Sequence, residues 1–429
     1  MKKMIYAQLG EVLYHEKLEN GLTVYILPKY GFREVFATLT TNFGSIDNVF
    51  TPRGMKEPIK VPDGIAHFLE HKMFEGEDQD AFYTFGKQGA SANAFTSFTR
   101  TGYLFSSMEQ VEKNIETLLD FVQDPYFTDQ SMEKEKGIIA QEIMMYADDP
   151  DWRAYFGVIE NMFESHPVRI DVGGTIESIT AITKENLYTC YETFYHPSNM
   201  SLFIIGAIDP GKIMEMVRKN QSAKKFPAED GIIRHVMPEG TPVHIEKRTV
   251  SMNVSMPKCI VGYKEKDPTR QGNDLLKHQL SIQVVLDLMF SSGSKAYNGL
   301  YESGNIHSPL SYQYTAEWGF GFSMISGDSQ DPDYLADKIT ETITTYQEIG
   351  FSNEEVDRAI KRKIGAFLSS LNSLDFIAKE FTRYQFNGMN FFDIVPALER
   401  LTANDLLEVL MDHFTPEYRT IFVIRKEGS

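Results

Sequence analysis

The chain has 429 residues, 42% hydrophobic and 12% aromatic, enough to fill the cores of two or more domains. Its net charge of −18 argues against a nucleic-acid partner, whose phosphates need Lys/Arg patches, and is compatible with drawing in basic peptides. Two cysteines, Cys190 and Cys259, are too few for a disulfide framework, so a reducing cytoplasm is the expected compartment.

In chain order, "MKKMIYAQLG" carries lysines with no apolar core behind them, which is not the pattern of a signal peptide. No later apolar run approaches the roughly 20 residues that cross a bilayer, so no membrane anchor is expected. "GIAHFLEHKMFEG" (64–76) predicts a largely buried helix over 64–75, opened by Asp63-Gly64 and stopped by Gly76. At about 100° per residue, His71 lies roughly 40° round from His67, and Glu70 about 60° to the other side. Two neutral imidazoles one turn apart can reach a single zinc ion, and the carboxylate between them can reach a water held there. This H-x-x-E-H order is the inverse of the H-E-x-x-H zinc motif. Burying three such groups without a metal would leave costly polar atoms.

Catalytic zinc usually takes a third protein ligand. "SMEKEKGIIAQEIMMY" (131–146) offers one on a second predicted helix. Glu135 and Glu142 are seven residues apart, about 20° from one stripe, and Glu142 sits between Ile139 and Ile143. "SANAFTS" (91–97), between the two helices, reads as an edge strand or a turn.

"HFLEH", "EKGIIAQE" and the nearby "YADDPDWRAY" resemble the pitrilysin/insulinase family of zinc peptidases, the inverzincins, whose smaller members are similar to mitochondrial processing peptidase. "ENGLTVYILP", "GASANAFTSFTRTGY" (89–103) and "FYHPSNMSLFIIGAID" (194–209) extend the likeness over most of residues 15–210. The resemblance implies zinc, one per chain, on His67, His71 and Glu142, with Glu70 as general base and Glu135 behind the ligands. It also implies that substrate adds as a strand along Ala92, Asn93, Ala94 and Phe95. The implied activity is hydrolysis of unfolded or extended peptides.

The chain repeats with a period of about 220 residues. "TKENLYTCYETFYHPSNMSLFII" (183–205) parallels "TANDLLEVLMDHFTPEYRTIFVI" (402–424): a Thr at a helix entrance, an amphipathic helix, a Pro turn and a β-branched strand. The fold class is therefore α+β, with two homologous domains, each a mostly antiparallel sheet packed against helices, forming a half-clamshell. The expected boundaries are a zinc-bearing domain over 1–223, a Gly/Pro/charge-rich linker over 224–242, and a metal-free homologue over 243–429. Aligning Phe127 with Phe351 sets Glu135 and Glu142 opposite Ala359 and Ala366. Aligning Met73-Phe74 with Met289-Phe290 sets His67, Glu70 and His71 opposite Gln283, Leu286 and Asp287. The fold positions recur while every candidate metal and base residue is absent from the second copy, which separates chemistry from packing.

Family members often carry an Arg and a Tyr in the second half that grip the substrate. "YNGLYESGNIHSPLSYQY" (297–314) supplies Tyr312 and Tyr314 as a possible clamp, but no arginine. The resemblance thus implies a second chain, either a homologous subunit in a heterodimer or a copy in a homodimer. The competing expectation is a non-catalytic peptide-binding or scaffold subunit, from which zinc content would distinguish it.

Overall fold

The protein is described here by a computed structural model covering residues 1–77, 79–228, 231–236, 239–240 and 242–428. Within the expected linker, residues 229, 230, 237, 238 and 241 lie outside the described residues. Runs rich in Val, Ile, Thr and Phe make the strands, because branched and aromatic side chains suit a pleated, half-buried surface.

The first half carries β1 (Lys2–Tyr6), β2 (Glu11–Lys17), β3 (Thr23–Pro28), β4 (Val35–Thr41), β5 (Val49–Thr51), β6 (Ile59–Lys60), β7 (Ala90–Thr96), β8 (Thr101–Ser107) and β9 (Met200–Gly206). Its helices are α1 (Ile65–Met73), α2 (Ala81–Lys87), α3 (Val111–Val122), α4 (Asp129–Ala147), α5 (Pro150–Met162), α6 (Ile176–Thr180), α7 (Lys184–Phe194) and α8 (Pro210–Ser222). After β10 (Ile233–Arg234), the second half carries β11 (Lys247–Met252), β12 (Lys258–Lys264), β13 (Ser311–Glu317), β14 (Phe320–Asp328) and β15 (Arg419–Lys426). Its helices are α9 (Gly272–Phe290), α10 (Lys295–Glu302), α11 (Pro332–Ile349), α12 (Asn353–Ser370), α13 (Leu374–Phe386), α14 (Ile394–Glu399) and α15 (Ala403–His413).

One sheet runs β1-β2-β3-β9-β4-β8-β7 and another β11-β15-β12-β14-β13, while β10 joins β5 and β6 in a small third sheet. The pattern β3-β9-β4-β8-β7 recurs strand for strand as β11-β15-β12-β14-β13. In each, the first pair is parallel and the rest are antiparallel. The α+β class and the two homologous, mostly antiparallel sheets are therefore those expected. Thr183 and Thr402 each open a helix with a reciprocal capping box, satisfying backbone donors at equivalent points of the two copies.

The chain forms two compact units. The first comprises Met1–Ile143, Ile170–Val236 and Ser370–Phe386; the second comprises Met144–Arg169, Met237–Ser369 and Asn387–Ser429. The copies have thus exchanged a helix: α5 of the first half packs on β12 and β15, and α13 of the second half packs on β4 and β9. In the second unit, Gly157 of α5 lies so close to β15 that a Cβ there would sit 2.3 Å from the Phe422 ring. In the first unit the helix supplies the ring instead, and Phe381 of α13 packs with its ring 4.6 Å from that of Phe203 of β9, tilted by 32°. The first unit's core lies between its large sheet and α1, α3 and α7, filled by Phe68, Leu69, Leu118, Leu119, Leu187 and Phe194. Among the described residues no helix is long and apolar enough to cross a membrane.

Candidate metal centre

Gly64 precedes α1 with φ +85°, and a Cβ there would meet the Gly173 carbonyl oxygen at 2.4 Å, so this entrance requires glycine. Ile65, Ala66, Phe68, Leu69 and Met73 are buried and seat the helix. The neighbouring α4 buries only Met132, Glu135 and Ile139. Ile138 and Met144 are 43% and 52% exposed, so much of its apolar character faces away from the core.

Within the first unit the two helices bring five side chains together. His67 Nε2 lies 3.9 Å from Glu142 Oε1, and His71 Nε2 lies 3.8 Å from Glu142 Oε2. His71 Nδ1 is 2.9 Å from Glu135 Oε1. Glu70 is buried, and its Oε2 accepts a hydrogen bond from Thr96 Oγ1 at 2.6 Å.

Burial, and then the charge of His71, holds His67 down to about 3, so its ring is neutral. Burial also lowers His71, but the bond to Glu135 and the charges of Glu70, Glu135 and Glu142 outweigh it and raise the group. Burial pushes Glu70 up against the opposing pull of the Thr96 bond. Glu135 stays low because the His71 bond and charge overcome its burial.

These facts test whether a metal fits. When His71 donates from Nδ1 to Glu135, its Nε2 presents a lone pair towards Glu142. His67, whose ring is neutral, presents a second nitrogen to the same carboxylate. The separations of 3.8 and 3.9 Å are too long for hydrogen bonds. They approach the roughly 3.3–3.5 Å between ligand atoms of a tetrahedral zinc with bonds near 2.0–2.2 Å. One ligand atom from each of His67, His71 and Glu142 lies within 4.8 Å of the others, so the trio fits a small divalent cation. Gly173 packs against His67, whose Nδ1 is buried with no hydrogen-bond partner among the described residues.

Ala92, Asn93, Ala94 and Phe95 lie on β7, which packs on α1 and, among the described residues, pairs with β8 alone at the end of its sheet. Asn93 Oδ1 accepts from the Ala94 amide at 2.8 Å. The Phe95 ring lies 5.8 Å from the Arg100 guanidinium and 5.8 Å from the Lys379 ammonium. Tyr312 and Tyr314 belong to the second unit. There Tyr312 Oη donates to Asp287 Oδ1 at 2.8 Å, and the buried Tyr314 donates to Glu265 Oε2 at 2.7 Å. Asp287, opposite His71 in the repeat, also accepts from Arg362 Nε at 3.0 Å. An ion pair thus links α9 and α12, the counterparts of α1 and α4.

Two features escaped the sequence reading. Thr96 reaches Glu70 from 26 positions away, across a strand and a helix, and no local pattern announces it. A second buried His/Glu cluster, Glu265, His278 and His413, draws on residues scattered along the second half. Its Glu265–His278 contact is 2.9 Å, a hydrogen-bond length, so this cluster is already closed on itself.

Comparison with known proteins places the chain in a family. Residues 55–175 match the family model for insulinase (peptidase family M16), and residues 181–363 match that of the peptidase M16 inactive domain. YmfH of Bacillus subtilis, named an uncharacterized zinc protease, is 53% identical over 421 residues, 98% of each chain. The chain belongs to the M16, or insulinase, family of peptidases. A candidate M16-like peptidase of Alicyclobacillus acidocaldarius superposes with a TM-score of 0.94 at 36% identity, covering 97% of this chain and 99% of that one. A Helicobacter pylori protease shares the fold at a TM-score of 0.84 and 18% identity, over 96% and 99% of the two chains.

Proposed function

We propose that the chain is a zinc-dependent endopeptidase acting on unfolded, extended peptides. The observation that carries this reading is the placement of the His67 and His71 Nε2 atoms, 3.9 and 3.8 Å from the two Glu142 carboxylate oxygens, with Glu70 buried beside them. His67, His71 and Glu142 would hold one zinc, with residues 1–223 as the zinc-bearing domain, 243–429 as its metal-free homologue and 224–242 as the connection. Zinc supplies Lewis acidity, which loosens the proton of a water at neutral pH and stabilises charge on the scissile carbonyl oxygen.

Glu70 takes the proton of the attacking water on its Oε1, since Oε2 is engaged by Thr96, and returns it to the leaving amine. Glu135 holds the His71 ring in the orientation the metal needs. The open edge of β7 takes the peptide main chain along Ala92–Phe95, so recognition is of extended backbone rather than one side chain. Tyr312, the less buried of the two tyrosines, is retained as a clamp residue that must leave Asp287 to reach substrate. The cytoplasm is the proposed compartment, in keeping with two buried, unpaired cysteines.

The purified chain should contain about one zinc. His67→Ala and Glu142→Gln should lose it, whereas Glu70→Gln should keep it and lose about 10²–10⁴-fold in peptide hydrolysis. Normal turnover in Glu70→Gln would sink the mechanism. The match of residues 181–363 to an inactive domain favours a second reading, a non-catalytic peptide-binding subunit. Zinc-replete protein that binds peptide but leaves it intact, even with an activating partner, would select that one.

A further inference from the structure

Thr96 ends β7, the edge strand, and its hydroxyl is spent on Glu70 Oε2 at 2.6 Å. The next hydroxyl along the sheet is fixed too: Thr101, its register partner on β8, donates to the Phe43 carbonyl at 2.9 Å. Glu70 is only 8% exposed, so bulk water competes poorly for that oxygen. One oxygen of the carboxylate is therefore anchored to the strand and the other is left for chemistry. Among the described residues β7 is paired on one side alone, so a peptide added to its open edge would restrain the very backbone that carries Thr96.

We propose that Thr96 is a positioning residue that couples occupancy of the β7 edge to the orientation of Glu70. The inference rests on reading Glu70 as the base and β7 as the peptide-binding edge. It makes substrate length a determinant of turnover as well as of binding. A peptide spanning the seven residues of β7 stiffens the strand and, through the Thr96 hydroxyl, the base. A peptide that covers only the scissile bond leaves Glu70 less well held.

The test uses two peptides with one scissile sequence, one spanning β7 and one too short to do so, cut by the wild type, Thr96→Val and Thr96→Ser. Valine keeps the branched shape and removes the donor. Thr96→Val is expected to retain zinc and to hold KM for the long peptide within about twofold, while kcat falls roughly tenfold or more. The kcat advantage of the long peptide should vanish in Thr96→Val and return in Thr96→Ser. Peptide affinity measured in Glu70→Gln, with and without Thr96→Val, should agree within about twofold, which separates positioning from damage to the strand. Unchanged kcat in Thr96→Val, a loss confined to KM, or no rescue by serine overturns the proposal. If Glu70→Gln turns over normally, the base assignment falls. If it is inactive while Thr96→Val matches the wild type, only the role of Thr96 falls.

Discussion

The hydrogen bond between His71 Nδ1 and Glu135 decides which His71 nitrogen is free for a ligand, and so carries a prediction separate from the base. Glu135→Gln keeps the size of the side chain but removes its charge, weakening the hold on the imidazole N–H. Zinc affinity should fall about 10–100-fold, as for other residues that orient metal ligands, measured by competition with a chelator. An unchanged affinity would show that the ring is held by packing alone. At this scale the H-x-x-E-H stretch was legible because its three side chains lie within five positions, where helical periodicity fixes their directions. Glu142 was not legible in that way. It lies on another helix, and a periodic stripe nominates several acidic residues without choosing among them. Resemblance made the choice, and the structure brings this carboxylate to both imidazoles. Thr96 remained hidden because a strand-to-helix hydrogen bond leaves no periodic trace.

Elements were legible where local rules act. The helix entrances at Thr183 and Thr402, and the strands after their Pro turns, follow from capping and β-branching. The parallel pairing of β3 with β9 and the exchange of α5 for α13 were not, because both depend on partners far along the chain. Gly157 against Phe422 and Phe381 against Phe203 show how the exchange is accommodated: one contact pairs a ring with a glycine, the other two rings. In the second unit a single carboxylate joins several elements. Glu265, just past β12, accepts from His278 of α9, Tyr314 of β13 and Arg270, and lies 3.3 Å from His413 of α15. Burial alone would raise Glu265, but the bond from His278 and the nearness of His413 outweigh it and hold the group far below its ordinary value of 4.5. A carboxyl depressed by folding contributes stability that is present above its unfolded value and is lost as pH falls below it. Glu265→Gln should therefore cost about 3–5 kcal/mol at neutral pH, because it removes the charge that pairs with Arg270 and weakens the buried bonds from His278 and Tyr314. In urea unfolding the gap to the wild type should narrow between about pH 5 and pH 3. A gap independent of pH would assign the loss to packing instead.

For the molecule as a whole, the repeat and the loss of the candidate metal residues from its second copy were legible, and they lead to the question of what would complete the proposed active site. The side chains of His67, His71 and Glu142 are 15%, 26% and 27% exposed, so this chain leaves its proposed metal ligands in reach of water. Excluding water strengthens every charge interaction that a developing oxyanion needs. Residues 297–314 hold no arginine to grip a substrate, and the hydroxyls of Tyr312 and Tyr314 are both engaged by carboxylates. We therefore propose that a homologous subunit supplies cover and grip, in preference to a second copy, which would repeat the same deficit. The decisive measurement is peptide cleavage by this chain at fixed low concentration, titrated with a homologue that lacks H-x-x-E-H but carries Arg and Tyr in its second half. Turnover should rise about 10²-fold or more and saturate at one partner per chain, with zinc content unchanged, as expected when positioning and water exclusion are supplied in trans. Self-association would instead show as activity rising with the square of chain concentration and insensitive to the partner. Full activity from a dilute chain shown to be monomeric by sedimentation would refute both forms of pairing.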